Sequence, residues 1–494
     1  MKYISTRDHA AQPRKVTAAE AILKGLCDDG GLFVPDQIPK LTHGDVERLI
    51  GMTYPQRAAY VLSLFLPDYD PTLLEGDCHT AYAHERFPGG AAPLYPIEDG
   101  FYSLELWHGP TCAFKDMALQ LMPRLLSTAL KMTGVGETAY ILVATSGDTG
   151  KAALEGYRDV DGVKIAVFYP NDGVSPMQKR QMCTQEGNNT YVCAVRGNFD
   201  DAQTGVKKIF ADASLAKRAH EHGFFFSSAN SINWGRLVPQ IVYYASAYCD
   251  LIVRGAIRSG DEINVCVPTG NFGNIFAAYL AREMGIPIAH LVCASNRNNV
   301  LTDFIATGTY DRTRIFHKTM SPSMDILISS NLERLLYMLG GAKITAELMD
   351  SLARTGSYTL PAEFLAELRE IFSGYYCTEE ETAAAIRDTY ENAHYLIDPH
   401  TAVGLGAVRK YRAETGDNRV MVLASTASPY KFAADVCRSI GVNADDLDGE
   451  ALLAALSHAT DTEIPVPLAA TLHKPVRFTD VIDPAEMADV PFSH

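Results

Sequence analysis

Lys115 sits in the stretch Leu106–Asp116, LWHGPTCAFKD, just inside the start of a predicted helix and behind the rigid Gly109-Pro110 turn. Small and apolar neighbours, Ala113 and Phe114, precede it, whereas a surface lysine normally keeps polar company. An amine held against apolar bulk loses its proton more readily, and the neutral amine can form a Schiff base with an aldehyde cofactor. Taken alone, the stretch reads more simply as a helix-start lysine whose stem covers apolar surface. Its combination with three later loops shifts that balance.

The first loop, Thr145-Ser146-Gly147-Asp148-Thr149-Gly150, joins a predicted strand, Tyr140–Ala144, to a helix running through Tyr157. Glycine permits the sharp turn. The hydroxyls and helix-start N–H groups face the strand's C-terminal edge, a trap for carboxylate or phosphate. Lys151 follows Gly150, but a P-loop needs glycine where Thr145 stands and Ser or Thr where Ala152 stands, so a nucleotide site is disfavoured. A capped turn without a ligand also fits, and leaves the density of hydroxyls unexplained. The second loop, Thr269-Gly270-Asn271-Phe272-Gly273-Asn274, follows strand Ile263–Val267 and opens helix Ile275–Met284. Its two glycines let several backbone N–H groups approach one phosphate, reinforced by the helix dipole. It is not a G-x-G-x-x-G fingerprint, which argues against dinucleotide cofactors.

In Ser227–Arg236, SSANSINWGR, Arg236 suits a bidentate pair with a substrate phosphate. A helix capped by Ser231 or Asn233, with Arg236 paired to a carboxylate, fits equally well. Near the C-terminus, Ser425-Thr426-Ala427-Ser428-Pro429 follows strand Val420–Ala424, at the end of a strand where α/β sites collect ligands. His400, in Asp398-Pro399-His400-Thr401, is a general base by type. A helix-capping role after Pro399 is the better reading.

The elements that must position these residues alternate. Unbroken apolar strands such as Tyr140–Ala144, Val163–Tyr169, Thr190–Val195, Ile263–Val267 and Ile288–Cys293 interleave with helices, including Asp200–His222 and Trp234–Ile252. That pattern predicts parallel sheets covered on both faces. There are too many strands for one compact sheet. The expected fold is therefore α/β, with two open parallel-sheet domains and a cleft between them, preceded by a small, mainly helical N-terminal domain. The expected boundaries are 1–93, 94–240 and 241–494, with Leu327–Glu391 helix-rich.

A formal net charge of -16 over 494 residues argues against nucleic-acid or membrane-surface binding, while leaving room for a local basic pocket. The ten cysteines show no Cys-x-x-Cys pair and no zinc spacing, so no metal site is expected and a cytoplasmic, reducing compartment is. There is no apolar secretion segment at the N-terminus and no run of membrane-spanning length.

Together, HGPTCAFKD, TSGDTG, SANSIN, PTGNFGN and STASPYKF, with STR…DGGLFVP near the N-terminus, resemble the threonine synthase family. These are pyridoxal-phosphate enzymes of fold type II, and the likeness is to the longer microbial and fungal branch. The resemblance runs from about Tyr3 to about Gly441. It implies Lys115 as the Schiff-base lysine, Gly270, Asn271, Phe272, Gly273 and Asn274 as the loop holding the cofactor phosphate, and Thr426 as the hydroxyl facing the pyridine nitrogen. It further implies Thr145, Ser146, Gly147 and Thr149 at the substrate carboxylate, Asp148 near the cofactor's ring oxygen, and Ser231, Asn233 and Arg236 at the substrate phosphate. Cys112, Met117 and Ser428 depart from the family pattern, Ser428 standing where histidine is frequent. The implied reaction converts O-phospho-L-homoserine and water into L-threonine and phosphate, in a monomer or small homo-oligomer. A same-fold phospho-amino-acid lyase or serine/threonine dehydratase is the alternative, and a non-catalytic binding protein a further one.

Overall fold

The computed structural model describes residues 1–171 and 174–494. Two sheets organise the chain. The larger has six strands in the spatial order Phe372–Tyr376, Ile288–Ser295, Ile263–Pro268, Met421–Ser425, Phe101–Glu105, Leu94–Glu98. The smaller has five, in the order Val481–Ile482, Thr190–Val195, Val163–Pro170, Thr138–Ala144, Phe224–Ser227. Neighbouring strands are parallel throughout, apart from the antiparallel edge hairpin Leu94–Glu98/Phe101–Glu105. Every residue of Ile263–Pro268 and Met421–Ser425 is buried, as expected of strands covered by helices on both faces.

This arrangement gathers the loops. Phe101–Glu105, Met421–Ser425 and Ile263–Pro268 are adjacent and parallel, so their C-terminal ends lie on one side. From those ends run the Lys115 stretch, the Thr426 loop and the Thr269–Asn274 loop. The strand Thr138–Ala144 of the smaller sheet delivers Thr145–Gly150. Ligands of open α/β sheets collect at such strand ends.

Several expectations need correction. Both sheets lie after residue 93, but the hairpin Leu94–Glu105 belongs to the larger sheet and Val481–Ile482 pairs with Ala194 and Val195 of the smaller one, so the strands do not divide between the two sheets at 240/241. At the sheet edge, Tyr95, Pro96 and Glu98 are exposed, and no unbroken apolar run marks the strand. The helix-rich region also contains Phe372–Tyr376, which forms the other edge of the larger sheet. The long helix expected over 234–252 is two, Trp234–Leu237 and Pro239–Val253, separated where Pro239 cannot donate to the preceding turn. Likewise Asp212 ends Phe199–Ala211 and caps Ala213–Glu221, its carboxylate accepting from the N–H groups of Ser214 and Leu215.

The N-terminal helices Ala18–Lys24, His43–Ile50, Tyr54–Phe65 and Pro71–Ala81 accompany a two-stranded ladder, Tyr3–Ser5 with Phe33–Pro35. They are clamped to the rest of the chain. The Tyr3 ring packs on Trp234 at 5.3 Å between centroids, and Arg57 donates to Ser246 Oγ and Asp250 Oδ1, both at 2.7 Å.

Candidate active site

The lysine turn is built from its neighbours. The Thr111 N–H and hydroxyl donate to the two Asp116 oxygens at 2.8 and 2.7 Å, closing the turn between them. A side chain at Gly109 would strike that carboxylate, its Cβ coming 2.6 Å from Asp116 Cβ. Cys112 takes the left-handed conformation, φ 57°. The turn is then stitched to the strand-end loop after Met421–Ser425. Phe114 N–H donates to Thr426 O at 2.8 Å, Ser428 N–H to Cys112 O at 3.0 Å, and Ala113 bridges Ala427. Lys115 therefore starts helix Asp116–Leu119 with its side chain fixed and 8% exposed.

Lys115 Nζ lies 3.7 Å from Asp148 Oδ2 and 4.7 Å from the centre of the Phe114 ring. The other Asp148 oxygen, Oδ1, is 2.7 Å from Lys431 Nζ and accepts from Gln178 Nε2 at 2.9 Å. Lys431 is fully buried and also donates to Thr111 O at 2.9 Å. Burial alone pushes the Asp148 carboxyl up, but the Lys431 and Lys115 ammonium groups outweigh it and hold it well below the usual carboxylate range. Burial dominates at Lys115. Asp148 opposes it, Arg236 and Lys431 add to it, and the pKa falls to about 8. Asp148 is thus neutralised mainly by Lys431, leaving Lys115 a lysine that can be neutral near physiological pH.

The Thr145–Gly150 loop folds on itself. Thr145 Oγ1 accepts from the N–H groups of Gly147 at 2.9 Å and Gly150 at 2.8 Å, so the hydroxyl oxygen holds the loop's shape. Gly147 has φ 134°, and a Cβ there would come 2.4 Å from the Gln178 side chain that holds Asp148. Ser146 and Thr149 remain partly exposed. Thr149 Oγ1 accepts from Arg236 Nη2 at 3.2 Å, which ties the segment Ser228–Arg236 to this loop. Arg236 is buried, burial lowers its pKa to about 10, and its second nitrogen donates to Ala229 O at 2.9 Å. Among the described residues no carboxylate pairs with it, so the carboxylate-paired alternative falls.

Asn233 and Ser231 part company with Arg236. The Asn233 oxygen caps helix Trp234–Leu237, accepting from Gly235 N–H at 2.9 Å, while its amide nitrogen donates to Ile22 O and Ser228 O at 2.9 and 3.0 Å. Both ends of the amide are used to seat the N-terminal unit, so the capping reading holds and a ligand contact does not. Ser231 Cβ lies 3.7 Å from where a Gly273 Cβ would be, placing it beside the second glycine loop.

That second loop is of another kind. Phe272 adopts φ 64°, after which Gly273–Met284 begins with no side-chain cap, its first N–H groups unclaimed by any neighbouring residue's side chain. A Cβ on Gly270 would come 2.7 Å from Ser323 O, so only glycine lets the loop pass under that segment. Asn274 Oδ1 accepts from the hydroxyls of Tyr243 at 2.8 Å and of Tyr244, while its Nδ2, buried, has no partner among the described residues. A buried donor left unpaired costs about 1–3 kcal/mol, and a phosphate oxygen would satisfy it. Asn271 stays exposed, its carbonyl accepting from Asn331 N–H at 3.0 Å.

Thr426 is buried at the strand end, with its carbonyl holding Phe114 and no neighbouring group bonded to its hydroxyl. Ser428 is a cap, accepting from Tyr430 N–H at 3.4 Å. His400 is not a free base. Its Nδ1 faces Asp398 Oδ1 at 2.7 Å and its Nε2 accepts from Ser323 N–H at 3.1 Å, which fixes the proton on Nδ1. Ser323 Oγ in turn reaches Asp148 Oδ2 at 3.5 Å.

Lys431, Gln178 and Ser323 escaped the reading of the sequence. Lys431 carries a detectable signal, a lysine between Tyr430 and Phe432 at the end of the STASPYKF strand exit, the same apolar setting that marks Lys115. Gln178 and Ser323 carry none, because only tertiary packing brings them to Asp148. Lys151, the residue that suggested a P-loop, is bound within its own helix to Glu155 at 3.1 Å. The described residues contain no group of His, Cys, Asp and Glu able to hold a metal ion, and no helix long and apolar enough to cross a membrane.

Comparison with known proteins meets this geometry from outside. Residues 98–426 match the family model described as pyridoxal-phosphate dependent enzyme, residues 2–82 that of the threonine synthase N terminus, and residues 401–490 that of the threonine synthase C-terminal region. The chain is 41% identical to the threonine synthase of Pseudomonas aeruginosa, over 87% of this chain and 89% of that protein. It is also 41% identical to human threonine synthase-like 1 over 89% of this chain, but spans only 61% of that longer protein. Among solved structures, PLP-bound threonine synthase from Brucella melitensis superposes with a TM-score of 0.85 at 36% identity, covering 98% of this chain and 97% of that one. Yeast threonine synthase superposes with a TM-score of 0.87 at 30% identity, covering 100% and 98%. With family models matched from the N-terminal helices to the last strand and helices, the chain belongs to the threonine synthase family of pyridoxal-phosphate-dependent enzymes.

Proposed function

We propose that this protein converts O-phospho-L-homoserine and water into L-threonine and phosphate, acting as a carbon–oxygen lyase on a phosphorylated amino acid. The observation that carries the reading is the juxtaposition of a buried lysine of lowered pKa with a buried arginine that has no carboxylate partner. A reaction on a phosphorylated amino acid needs both a base at Cα and a cation for the departing phosphate.

Pyridoxal 5'-phosphate fits the residues present. Lys115 supplies the amine for its aldehyde, while Gly270, Asn271, Phe272, Gly273 and Asn274 offer backbone N–H groups and the unpaired Asn274 Nδ2 to its phosphate. Thr426 offers a neutral hydroxyl to the ring nitrogen, which would not hold a proton there as a carboxylate does. When bound, the group supplies a conjugated ring that withdraws electrons from the substrate carbons.

The chain's own residues do the rest. The Lys115 amine, which holds one extra proton at a time, would take the Cα proton, give it up before taking a Cβ proton, and return that second proton to Cγ after phosphate has left it. Asp148, held ionised by Lys431, keeps an acceptor beside that amine without neutralising it. Ser146 and Thr149 present hydroxyl and N–H groups to the substrate carboxylate, while the Gly147 N–H, expected there too, is held by Thr145 Oγ1 and shapes the loop instead. Arg236, steadied by Thr149, takes the phosphate leaving Cγ. Ser231 flanks the phosphate loop instead, and Asn233 positions the segment. Burial of Lys115, Asp148, Lys431 and Arg236 keeps bulk water from the site until phosphate has left and water adds at Cβ. All ten cysteines are buried and free, which agrees with a reducing compartment such as the cytoplasm.

Product analysis tests the proposal. Purified protein supplied with pyridoxal 5'-phosphate and O-phospho-L-homoserine should release threonine and phosphate in equal amounts. Formation of 2-oxobutyrate in place of threonine would assign the chain to the same-fold lyases or dehydratases.

A further inference from the structure

A cavity of ≈ 680 Å³ that Lys115 does not line lies where helix Pro71–Ala81, helix Met122–Thr133 and the last turn of helix Asp148–Tyr157 meet. That volume suits a small metabolite. Its polar lining is dominated by donors. Arg86 donates to Gln120 Oε1, which leaves Gln120 Nε2 as the free end of the amide, and that nitrogen is buried without any hydrogen-bond partner. Gln120 itself is 3% exposed. Arg86 is half-buried and has no carboxylate partner among the described residues, while burial and the Arg124 and Arg158 guanidinium groups facing it lower its pKa.

The nearby acids are already engaged. Asp77 pairs with Arg124 at 3.6 Å, and Glu155 is shared between Lys151 at 3.1 Å and Arg158 at 3.6 Å. Asp159 accepts from Asn188 N–H at 2.8 Å. Lys131 adds a further cation to the lining. Unpaired donors that converge beside acids largely engaged elsewhere describe an oxyanion site, on a chain whose net charge is -16. Leu73 and Met132, 61% and 43% exposed, form apolar walls against which an organic portion could pack.

We propose that this cavity binds a phosphorylated small molecule, its phosphate oxygens accepting from Arg86 and from Gln120 Nε2. The site is distinct from the reaction centre. Asp148 begins the 10-residue helix whose last turn, Glu155 and Gly156, lines the cavity, so the two lie roughly 11 Å apart along its axis.

Calorimetric titration of the cofactor-loaded protein with inorganic pyrophosphate tests the assignment. Saturable binding is expected in the wild type and in Arg236→Ala, which disables the phosphate position of the reaction centre. Affinity should fall about tenfold or more in Arg86→Gln/Arg124→Gln. Because Arg86 also holds Gln120, the rim variant Lys131→Gln/Arg158→Gln provides a second test, with a smaller loss expected; the visible absorption of the bound cofactor reports that each variant is folded. No saturable binding to the wild type, or binding lost in Arg236→Ala yet retained in both cavity variants, would overturn the proposal.

Discussion

The two glycine-bearing turns, Thr145–Gly150 and Thr269–Asn274, share one local plan and have opposite electrostatics. Each leaves the C-terminal end of a buried parallel strand and opens a helix. The first closes on its own threonine and sets Asp148, with Lys431 against it, at the helix start. The second contains no charged residue, passes through a left-handed Phe272, and leaves its helix N-terminus and Asn274 Nδ2 unpartnered. A turn that spends two of its N–H groups on its own threonine is rigid and suited to positioning charges. One that leaves its donors free is suited to receiving a phosphate. Strand–turn–helix geometry alone does not choose between the two; the side chain at the helix start does.

The contrast can be broken at its most costly point first. Lys431→Met removes the cation 2.7 Å from a buried carboxylate, which should destabilise the fold by about 3–5 kcal/mol, read as a lower denaturant midpoint. It should also raise the Lys115 pKa above its value of about 8, because Asp148 then faces Lys115 alone. In the wild type, the rate at which added pyridoxal phosphate develops its visible band should rise with pH and level off above about pH 8, since a depressed lysine pKa makes the reactive neutral amine predominant there. Lys431→Met should move that midpoint upward, whereas Lys431→Arg should leave it near the wild-type position.

Arg236→Ala, at the outer end of the first loop, should raise the KM for O-phospho-L-homoserine by about ten- to hundredfold, the loss of one charged hydrogen-bonding group worth about 1.5–3 kcal/mol. Cofactor absorption should persist, since the proposed function places Arg236 at the substrate. Gly270→Ala attacks the second loop. Its Cβ meets Ser323 O at 2.7 Å, and the displacement should weaken cofactor affinity in equilibrium dialysis by about 1–2 kcal/mol, within the usual range of such backbone changes, with KM little altered. The smallest catalytic effect is expected from Asn233→Ala. Loss of its cap should lower stability by about 1–2 kcal/mol without a proportionate change in KM, which separates a seating residue from a binding one.

Much of this plan was legible in the sequence because parallel strands buried on both faces are unbroken apolar runs. Thr190–Val195 was expected over the residues it occupies, and Ile263–Pro268 to within one residue. The hairpin Leu94–Glu105 was not legible, since an edge strand with Tyr95, Pro96 and Glu98 exposed has no such run. At the site, residues that take part through local turn chemistry, Lys115, Gly147 and Gly273, could be picked out individually. The neutralisation of Asp148 could not, because Lys431, Gln178 and Ser323 reach it from three distant segments. Asn233 shows the converse: its type and spacing announce a polar contact, and only packing shows that the contact is with Ile22 of the N-terminal unit.

The central claim is that Lys115, and not the still more deeply buried Lys431, is the amine joined to the cofactor. Borohydride reduction of the yellow protein followed by peptide mass mapping tests it directly. The account predicts the reduced pyridoxal-phosphate adduct on the peptide bearing Lys115 and an unmodified Lys431. An adduct on Lys431, or no adduct at either lysine in protein supplied with the vitamin, would contradict it.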